Sequence, residues 1–381
     1  MNNINITIGV VGMGYVGLPL ANELSKKFNT IGYDINTSKI RDLKKKIDRT
    51  GEIKKFNRSL KFEDKISNLK KCNFFILCLP TPVNKYKKPD LVILNSALKN
   101  LSKIFKKNDT LVIESTYHPG TTKELITKNF KKKFNEINIG YSPERINPGD
   151  KKNTINKITK IISANNVKTV NLMSKIYGSI NNKNIFKAKS IKVAEAAKLI
   201  ENVQRDLNIG LMNELTKIFS KMDISIHDVL DAANTKWNFL KFKPGLVGGH
   251  CIGVDPYYLK YLCEKIKFNP KIFMSARDTN ENMIKFYKNK INKNIKKNQK
   301  ILYLGITFKE NTSDLRNSKY LRLLEEISSH KKIYYFDPHV KNLENLNKNI
   351  LKYKKQRYDI VIFAVPHKKL FHFLKINLKS I

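Results

Sequence analysis

One cysteine in this chain sits where a thiol can act as a nucleophile. The stretch Pro244-Gly245-Leu246-Val247-Gly248-Gly249-His250-Cys251-Ile252-Gly253-Val254-Asp255-Pro256 surrounds Cys251 with four glycines and sets a carboxylate four residues on. Backbone without Cβ atoms comes close to a ligand and holds a sulfur at a turn, so Cys251 is a candidate nucleophile towards a carbonyl. Cys72, Cys78 and Cys263 lack this frame and read as small buried hydrophobes. In an extended segment His250 points away from its neighbour, so it reads as a structural histidine rather than a base. Lys198 and Asn202 share one face if their segment is helical, being four apart. A third constellation is Gly12-Met13-Gly14-Tyr15-Val16-Gly17 with Asp34 seventeen residues further on. These glycines allow a tight turn that brings a pyrophosphate onto backbone N–H groups at a helix N-terminus. A carboxylate at Asp34 accepts from both ribose hydroxyls and repels a 2′-phosphate, which points to NAD rather than NADP. The four cysteines have no metal-ligand spacing, and no metal is expected.

These residues need elements to position them. Ile6 to Val11 reads as a strand, Leu18 to Phe28 as a helix, and Thr30 to Asp34 as a second strand ending in an acid, which together make a βαβ unit. Alternation continues with strands at Phe74 to Leu79 and Thr110 to Glu114 and helices at Leu94 to Phe105 and after Thr121. Pro80-Thr81-Pro82 then falls at the carboxyl edge of a parallel sheet, where ligands bind. From Ile191 to Met222 a long helix is expected, with apolar positions at Val193, Ala197, Ile200, Val203, Leu207, Leu211, Leu215 and Ile218 and Gly210 as its single glycine. Such a helix would span about 45 Å, link domains and bury its broad apolar face against a second copy. A further helical stretch precedes a restart of α/β alternation: strands at Lys300 to Gly305, Ile333 to Asp337 and Ile360 to Val365, and a helix from Tyr320 to Ser328. No fixed-period repeat is present, although the two α/β ends are crudely similar in plan. The fold class is therefore α/β: two Rossmann-like doubly wound domains joined by a central helical domain with a long helix. The expected boundaries are 1–186, 187–290 and 291–381.

With 381 residues and 41% hydrophobic content, more than one core is expected. No apolar run approaches the ~20 residues of a membrane span, and Met1 to Val11 lacks the features of a signal peptide, so a cytoplasmic protein without a membrane partner is expected. The net charge of +41 favours polyanions in general. Lysine is spread evenly, however, and Asn and Ile are abundant too, as drift towards A/T-rich codons would produce. No Arg-rich or aromatic-interleaved tract gathers as a groove-tracking surface requires, and no specific nucleic-acid partner is expected.

Gly12 to Gly17, Pro80-Thr81-Pro82, Glu114-Ser115-Thr116, Tyr141-Ser142-Pro143-Glu144-Arg145-Ile146-Asn147-Pro148-Gly149, Ala194 to Asn202, the Cys251 loop, and Gly305-Ile306-Thr307-Phe308-Lys309-Glu310-Asn311 with Asp314-Leu315-Arg316 occur in this order over nearly the whole chain. In that order they resemble the UDP-glucose/GDP-mannose dehydrogenase family. Within it, Ser-Pro-Glu-Arg and Gly-Gly-His-Cys-Ile-Gly-Val-Asp-Pro-Tyr-Tyr resemble the UDP-N-acetylglucosamine/UDP-N-acetylgalactosamine 6-dehydrogenases of capsule and O-antigen synthesis.

The resemblance implies an NAD-dependent, four-electron oxidation of a sugar C6 hydroxymethyl to a carboxylate, through a thiohemiacetal and a thioester on Cys251. It implies that Lys198 and Asn202 face the C6 oxygen, that Asp255 and Thr116 handle the proton or position water, and that Glu144 serves as general base or in thioester hydrolysis. Cofactor contacts carried over are Gly12, Gly14, Tyr15, Val16, Gly17, Asp34, Thr81, Thr116 and Arg316. Substrate contacts are Glu144, Arg145, Lys198, Asn202, Phe242, Gly245, Gly248 and Lys309, the last near the diphosphate; a cleft between the two α/β ends is implied, which Arg277 is expected to help line. A homodimer through the central helix is implied. Pro148 stands where the UDP-glucose branch has a second acid, and Lys236 near where that branch supplies an arginine from a neighbouring subunit. The chain stops at Ile381, soon after the last strand, which by the resemblance leaves the third domain short. UDP-glucose, UDP-N-acetylmannosamine and GDP-mannose are the alternative substrates; a noncatalytic polyanion-binding or assembly subunit is the alternative of another class.

Overall fold

The computed structural model describes residues 6–131, 136–146, 152–249, 251–296, 298–328, 331–341, 343 and 347–377. Two compact units result, Met1–Glu201 with Tyr257–Ile266 and Asn202–Pro256 with Lys267–Ile381.

In the first unit the order is β1 (Thr7–Val11), α1 (Gly17–Leu24), β2 (Asn29–Tyr33), α2 (Thr37–Lys44), β3 (Lys61–Glu63), β4 (Phe74–Leu77), α3 (Val92–Leu101), β5 (Thr110–Ile113), α4 (Thr121–Phe130), β6 (Asn138–Tyr141), β7 (Lys160–Ala164), α5 (Val167–Gly178), β8 (Ile185–Lys187) and the start of α6 (Ile191–Ser220). The eight strands form one sheet in the order β3-β2-β1-β4-β5-β6-β7-β8. Pairing from β3 to β6 is parallel, and β7 runs antiparallel to β6. The central strands β1, β4 and β5 are buried throughout, which is why they read as continuous apolar runs. Asn36 and Asn166 cap α2 and α5 through side-chain oxygens that accept from Lys39 and Thr169.

In the second unit the rest of α6 is followed by α7 (Ile226–Ala233), α8 (Asp255–Lys265, most of which belongs to the first unit), α9 (Lys271–Asn294), β9 (Ile301–Leu304), α10 (Lys319–Ile327), β10 (Ile333–Phe336), β11 (Ile350–Lys352), β12 (Ile360–Phe363) and α11 (Lys368–Asn377). The four strands are parallel in the order β11-β10-β9-β12. Ile301, Tyr303, Leu324 and Ile333 are buried together with Met283 and Ile284 of α9 in one core. Helices α6 and α9 approach closely at Gly210, where a Cβ would lie 2.8 Å from that of Ala276.

The fold is thus α/β, with two sheet-containing regions joined in sequence by helices that include the long α6 and α9. Helix α6 takes 30 residues, close to the expected span. Helix α1 ends at Leu24, four residues before the expected Phe28, because Lys27 and Phe28 both donate to the Leu24 carbonyl in a closing turn. Strands β3, β6, β7, β8 and β11 were not anticipated. β3, β8 and β11 have three residues each, too few to show a period of two, and β6 and β7, with four and five, show no alternation of apolar and polar residues either. Among the described residues no helix is long and apolar enough to cross a membrane.

Candidate active site

Parallel pairing brings the carboxyl ends of β1, β2, β4, β5 and β6 to one edge of the large sheet. Gly12, Asp34, the Pro80–Pro82 loop, Glu114–Thr116 and Glu144 follow those ends. Gly12 has φ +98°, and a Cβ there would lie 2.5 Å from the Cys78 carbonyl oxygen; a Cβ on Gly17 would overlap the Gly12 carbonyl. At Gly12 and Gly17 the turn has room for backbone and nothing else, while a Cβ at Gly14 would meet open space, which suits a pyrophosphate approaching the start of α1. Asp34 Oδ2 accepts from the Met13 N–H at 3.0 Å and from Lys39 Nζ at 2.7 Å, and Oδ1 from the Asn36 N–H at 3.0 Å. A cavity of about 140 Å³ opens beside it, between Met13, Leu18, Asn36, Ser38, Lys39 and Arg49. The glycine turn, the acid at the strand end and this cavity fit a dinucleotide bound at the carboxyl edge. Tyr15 and Val16 are half-buried in the same turn.

Thr81 and Thr116 are brought together, since the Thr81 hydroxyl donates to the Thr116 carbonyl at 2.6 Å. The Ser115 hydroxyl donates to Leu79 O and the buried Tyr258 hydroxyl to Thr81 O, tying the two loops to each other and to α8. Glu144 accepts from the N–H groups of Arg145 and Ile146, at 2.6 and 2.5 Å, and from Lys160 Nζ at 3.2 Å. Lys160 Nζ also donates to Glu114 at 2.8 Å, and the Tyr177 hydroxyl donates to the other Glu114 oxygen at 2.6 Å. Burial pushes the Glu114 carboxyl up to about 7, against the pull of Lys160 and with the push of Glu144. For Glu144 burial also pushes upward, but Lys160 and the two N–H donors prevail and hold it below the usual carboxylate range. Arg145 pairs with Glu201 at 2.9 Å and donates to Thr159 O. Lys198 is buried on α6.

In the second unit Cys251 is exposed. Its carbonyl accepts from the Val254 and Asp255 N–H groups at 3.1 and 2.9 Å, forming the turn that leads into α8. Asn202 Nδ2 donates to Asp255 Oδ2 at 2.5 Å, both residues being buried. Two reciprocal amide pairs fasten the loop. Asn213 binds the N–H and C=O of Gly245 at 2.9 and 3.0 Å, and Gly249 and Asn317 exchange bonds at 3.3 and 2.9 Å. Asn213 is held in turn by Asn280, and Asn280 by Asp206. Gly248 is half-buried, as is Phe242, which packs near Met212 and Leu230. Lys309 is half-buried in the loop after β9, its ammonium 5.4 Å over the Phe308 ring. Arg316 is exposed and forks onto Asp314 through Nε and Nη2 at 2.8 and 2.6 Å; Lys236 is exposed.

Arg277, expected to help line a cleft, is wholly buried, with Nη1 2.6 Å from Asp206 and Nη2 3.3 Å from Glu281. A guanidinium inside a helix pair persists only with carboxylates to answer its charge. Burial lifts the Asp206 carboxyl to about 6, with Arg277 pulling it down. His250 and Pro148 lie outside the described residues.

Sequence reasoning missed Lys160, Asn213, Asn280 and Asp206, and it treated Glu114 only as part of a motif. Lys160 carries no local signal in a chain with 73 Lys and Arg residues. Asn213 and Asp206 follow Asn202 on the buried face of α6, polar residues at helical spacing on an otherwise apolar side, which is the trace they leave in the sequence.

With this geometry in place, similarity to known proteins is informative. Family models described as the NAD binding, central and UDP binding domains of the UDP-glucose/GDP-mannose dehydrogenase family match residues 6–181, 192–282 and 302–380. Protein CapL of Staphylococcus aureus is 42% identical, with 96% of this chain and 91% of the relative covered. The UDP-N-acetyl-D-glucosamine 6-dehydrogenase of Salmonella typhi is also 42% identical, covering 96% and 90%. Among solved structures, a UDP-D-ManNAc dehydrogenase from Pyrococcus horikoshii superposes with a TM-score of 0.84 at 28% identity, covering 98% of this chain and 93% of that one.

Proposed function

The chain belongs to the UDP-glucose/GDP-mannose dehydrogenase family, and on that premise we propose that it oxidises the C6 hydroxymethyl of a UDP-N-acetylhexosamine, UDP-GlcNAc or UDP-GalNAc, to the uronic acid for surface polysaccharide synthesis. Four electrons leave one carbon, and NAD, when bound, supplies the means of removing them as one hydride in each of two oxidations. The observation that carries the reading is the exposed Cys251 in a loop pinned by Asn213 and Asn317, with Asp255 four residues on and bonded to Asn202.

Cys251 adds through sulfur to the aldehyde carbon, and oxidation of that thiohemiacetal leaves a thioester that water cleaves. Covalent capture keeps the reactive aldehyde from escaping between oxidations. Asp255 is held by one N–H of the Asn202 amide and handles the thiol proton; an amide carries a second N–H, which is free to serve the C6 oxygen. Lys198 answers negative charge on that oxygen. Glu144 activates the hydrolytic water and Thr116 orients it. Gly12, Gly14, Tyr15, Val16 and Gly17 cradle the pyrophosphate, Asp34 takes the adenosine ribose, and Thr81 and Arg316 complete the cofactor contacts. Arg145, Phe242, Gly245, Gly248 and Lys309 serve the nucleotide sugar. Val193, Ile200, Leu211 and Ile218 leave an exposed apolar stripe on α6 that pairs two copies. The shared Gly-Gly-His-Cys-Ile-Gly-Val-Asp-Pro-Tyr-Tyr stretch and the Salmonella relative support an N-acetylhexosamine; the likeness to the Pyrococcus structure makes UDP-N-acetylmannosamine the second reading.

A panel of nucleotide sugars with coupled NADH detection tests the substrate. Two NADH per UDP-N-acetylhexosamine are expected, and equal turnover of UDP-glucose would remove the branch assignment. Cys251→Ala is expected to abolish acid formation while NAD still binds; full activity in that variant would end the thioester proposal.

A further inference from the structure

We propose that Lys160 is a positioning residue for the hydrolytic step, holding the Glu144 carboxylate ionised and oriented so that it can take a proton from water. The inference deepens the function proposed above and rests on the role given there to Glu144.

Topology explains how a lysine far from any motif reaches this place. Strand β7 runs antiparallel to β6, so its first residue, Lys160, arrives at the sheet edge where β5 and β6 deliver Glu114 and Glu144. Its side chain is 3% exposed, and those of Glu114 and Glu144 are 0% and 10%. One buried cation therefore faces two buried carboxylates, and like charges at that range do not both stay ionised at little cost. Hydrogen bonding decides which one does. Glu144 takes two backbone N–H groups besides Lys160, whereas Glu114 has Lys160 and the Tyr177 hydroxyl. The shared proton thus belongs on Glu114, the deeper of the two, and Glu144 keeps its charge.

The other titratable groups around the cluster are Cys78 after β4 and Tyr177 of α5, whose ring lies 5.3 Å from Lys160 Nζ. Burial keeps both in their neutral forms near neutral pH. The guanidinium of Arg145 is turned to Glu201 and Thr159 O. Lys160 is consequently the cation on which the charge state of Glu144 depends. In hydrolysis, water oxygen adds to the thioester carbon as one water proton passes to Glu144. The C–S bond then breaks with its electron pair returning to sulfur, and the second proton leaves with the acid to solvent.

The test compares Lys160→Met, Lys160→Arg and Glu144→Gln in rapid mixing and steady state from pH 10 down to the acid limit of the fold. For Lys160→Met, a burst of two NADH per subunit is expected, then turnover slowed at least about tenfold. The acidic limb of its pH profile should move to higher pH, and intact mass should show the sugar acyl adduct on the protein. Lys160→Arg should recover most of the rate and the wild-type limb. A Lys160→Met protein with a normal pH profile and no adduct, beside an impaired Glu144→Gln, would overturn the role of Lys160. Wild-type acid release by Glu144→Gln would instead overturn the role of Glu144 itself. Should Lys160→Met not fold, an unshifted pH limb in Lys160→Gln at reduced rate counts against the proposal, and a shifted limb in Lys160→Gln that arginine reverses supports it.

Discussion

Charges enclosed by protein behave as groups rather than singly, and Glu114 is the clearest instance in this chain. It sits fully buried between Lys160 and Tyr177, and burial raises its carboxyl to about 7 from 4.5. Between those values the folded protein holds a proton that the unfolded chain has released. The stabilisation is therefore complete below the unfolded value and is lost as pH rises through about 7. Glu114→Gln removes the titration while leaving Lys160 a neutralising partner in Glu144. Thermal unfolding measured from pH 5 to 8 should show a flatter dependence in the variant, which gains about 1–3 kcal/mol on the wild type at the alkaline end; identical slopes would mean that Glu114 ionises normally in the fold. Of the residues named from sequence, Cys251 is exposed and Asn202 bonds to Asp255, a contact that neither helical spacing nor the glycine loop had foretold. Arg277 shows the limit of such reasoning, because whether an arginine faces solvent or a buried carboxylate depends on what packs over it.

At the scale of elements, the turn between β1 and α1 is the most constrained feature. Gly12 combines a positive φ with a carbonyl oxygen in the space a side chain would need. Gly12→Ala is predicted to lower stability by about 1–3 kcal/mol and to weaken NAD binding by at least tenfold, read by thermal unfolding and by cofactor titration. Unchanged affinity would remove this turn from the cofactor site. Long elements with strong periodicity, α6 above all, were legible because packing and pattern agree over many residues. Strands of three residues were not, nor were β6 and β7, and neither was the antiparallel direction of β7 that carries Lys160 to the edge where Glu114 and Glu144 lie. Its burial pattern is that of any inner strand, and direction is a property of the pairing rather than of the strand.

On the scale of the molecule, the same device is used in each sheet-containing region. Gly12 N–H donates to Tyr33 O at 2.8 Å, and Gly305 N–H to Phe336 O at 2.9 Å. Met13 N–H reaches Asp34 at 3.0 Å as Ile306 N–H reaches Asp337 at 2.9 Å, and Asn36 N–H and His339 N–H bind the second carboxylate oxygens at 3.0 and 2.8 Å. Where Asp34 pairs with Lys39, Asp337 takes the buried His367, whose Nδ1 lies 2.8 Å from the Asn311 N–H and therefore accepts from it. The likeness in plan between the two ends of the sequence is thus a likeness of hydrogen-bonding detail, hidden because only the glycine and the acid must be shared. Helix α6 contributes at the same scale. Val193, Ile200, Leu211 and Ile218 stand 46–59% exposed along it, a stripe that one copy leaves in water. On the proposed pairing of two copies through α6, light scattering at micromolar concentration is expected to give a dimer for the wild type and a monomer for Leu211→Glu with Ile218→Glu; an unchanged dimer would place the interface elsewhere, and a monomeric wild type would remove the pairing.

Sequence alone determined the family, the α/β class, and the glycine turn with its acid, and it singled out Cys251 as the proposed nucleophile, because each depends on residue types at fixed short spacing, where backbone geometry leaves few alternatives. Tertiary structure alone decided the Glu114–Lys160–Glu144 cluster, the amide chain from Asp206 to Gly245, and the burial of Arg277. Those contacts join residues 16 to 74 positions apart, and which charges and amides meet across such distances is settled by strand direction and helix packing, which no local pattern records.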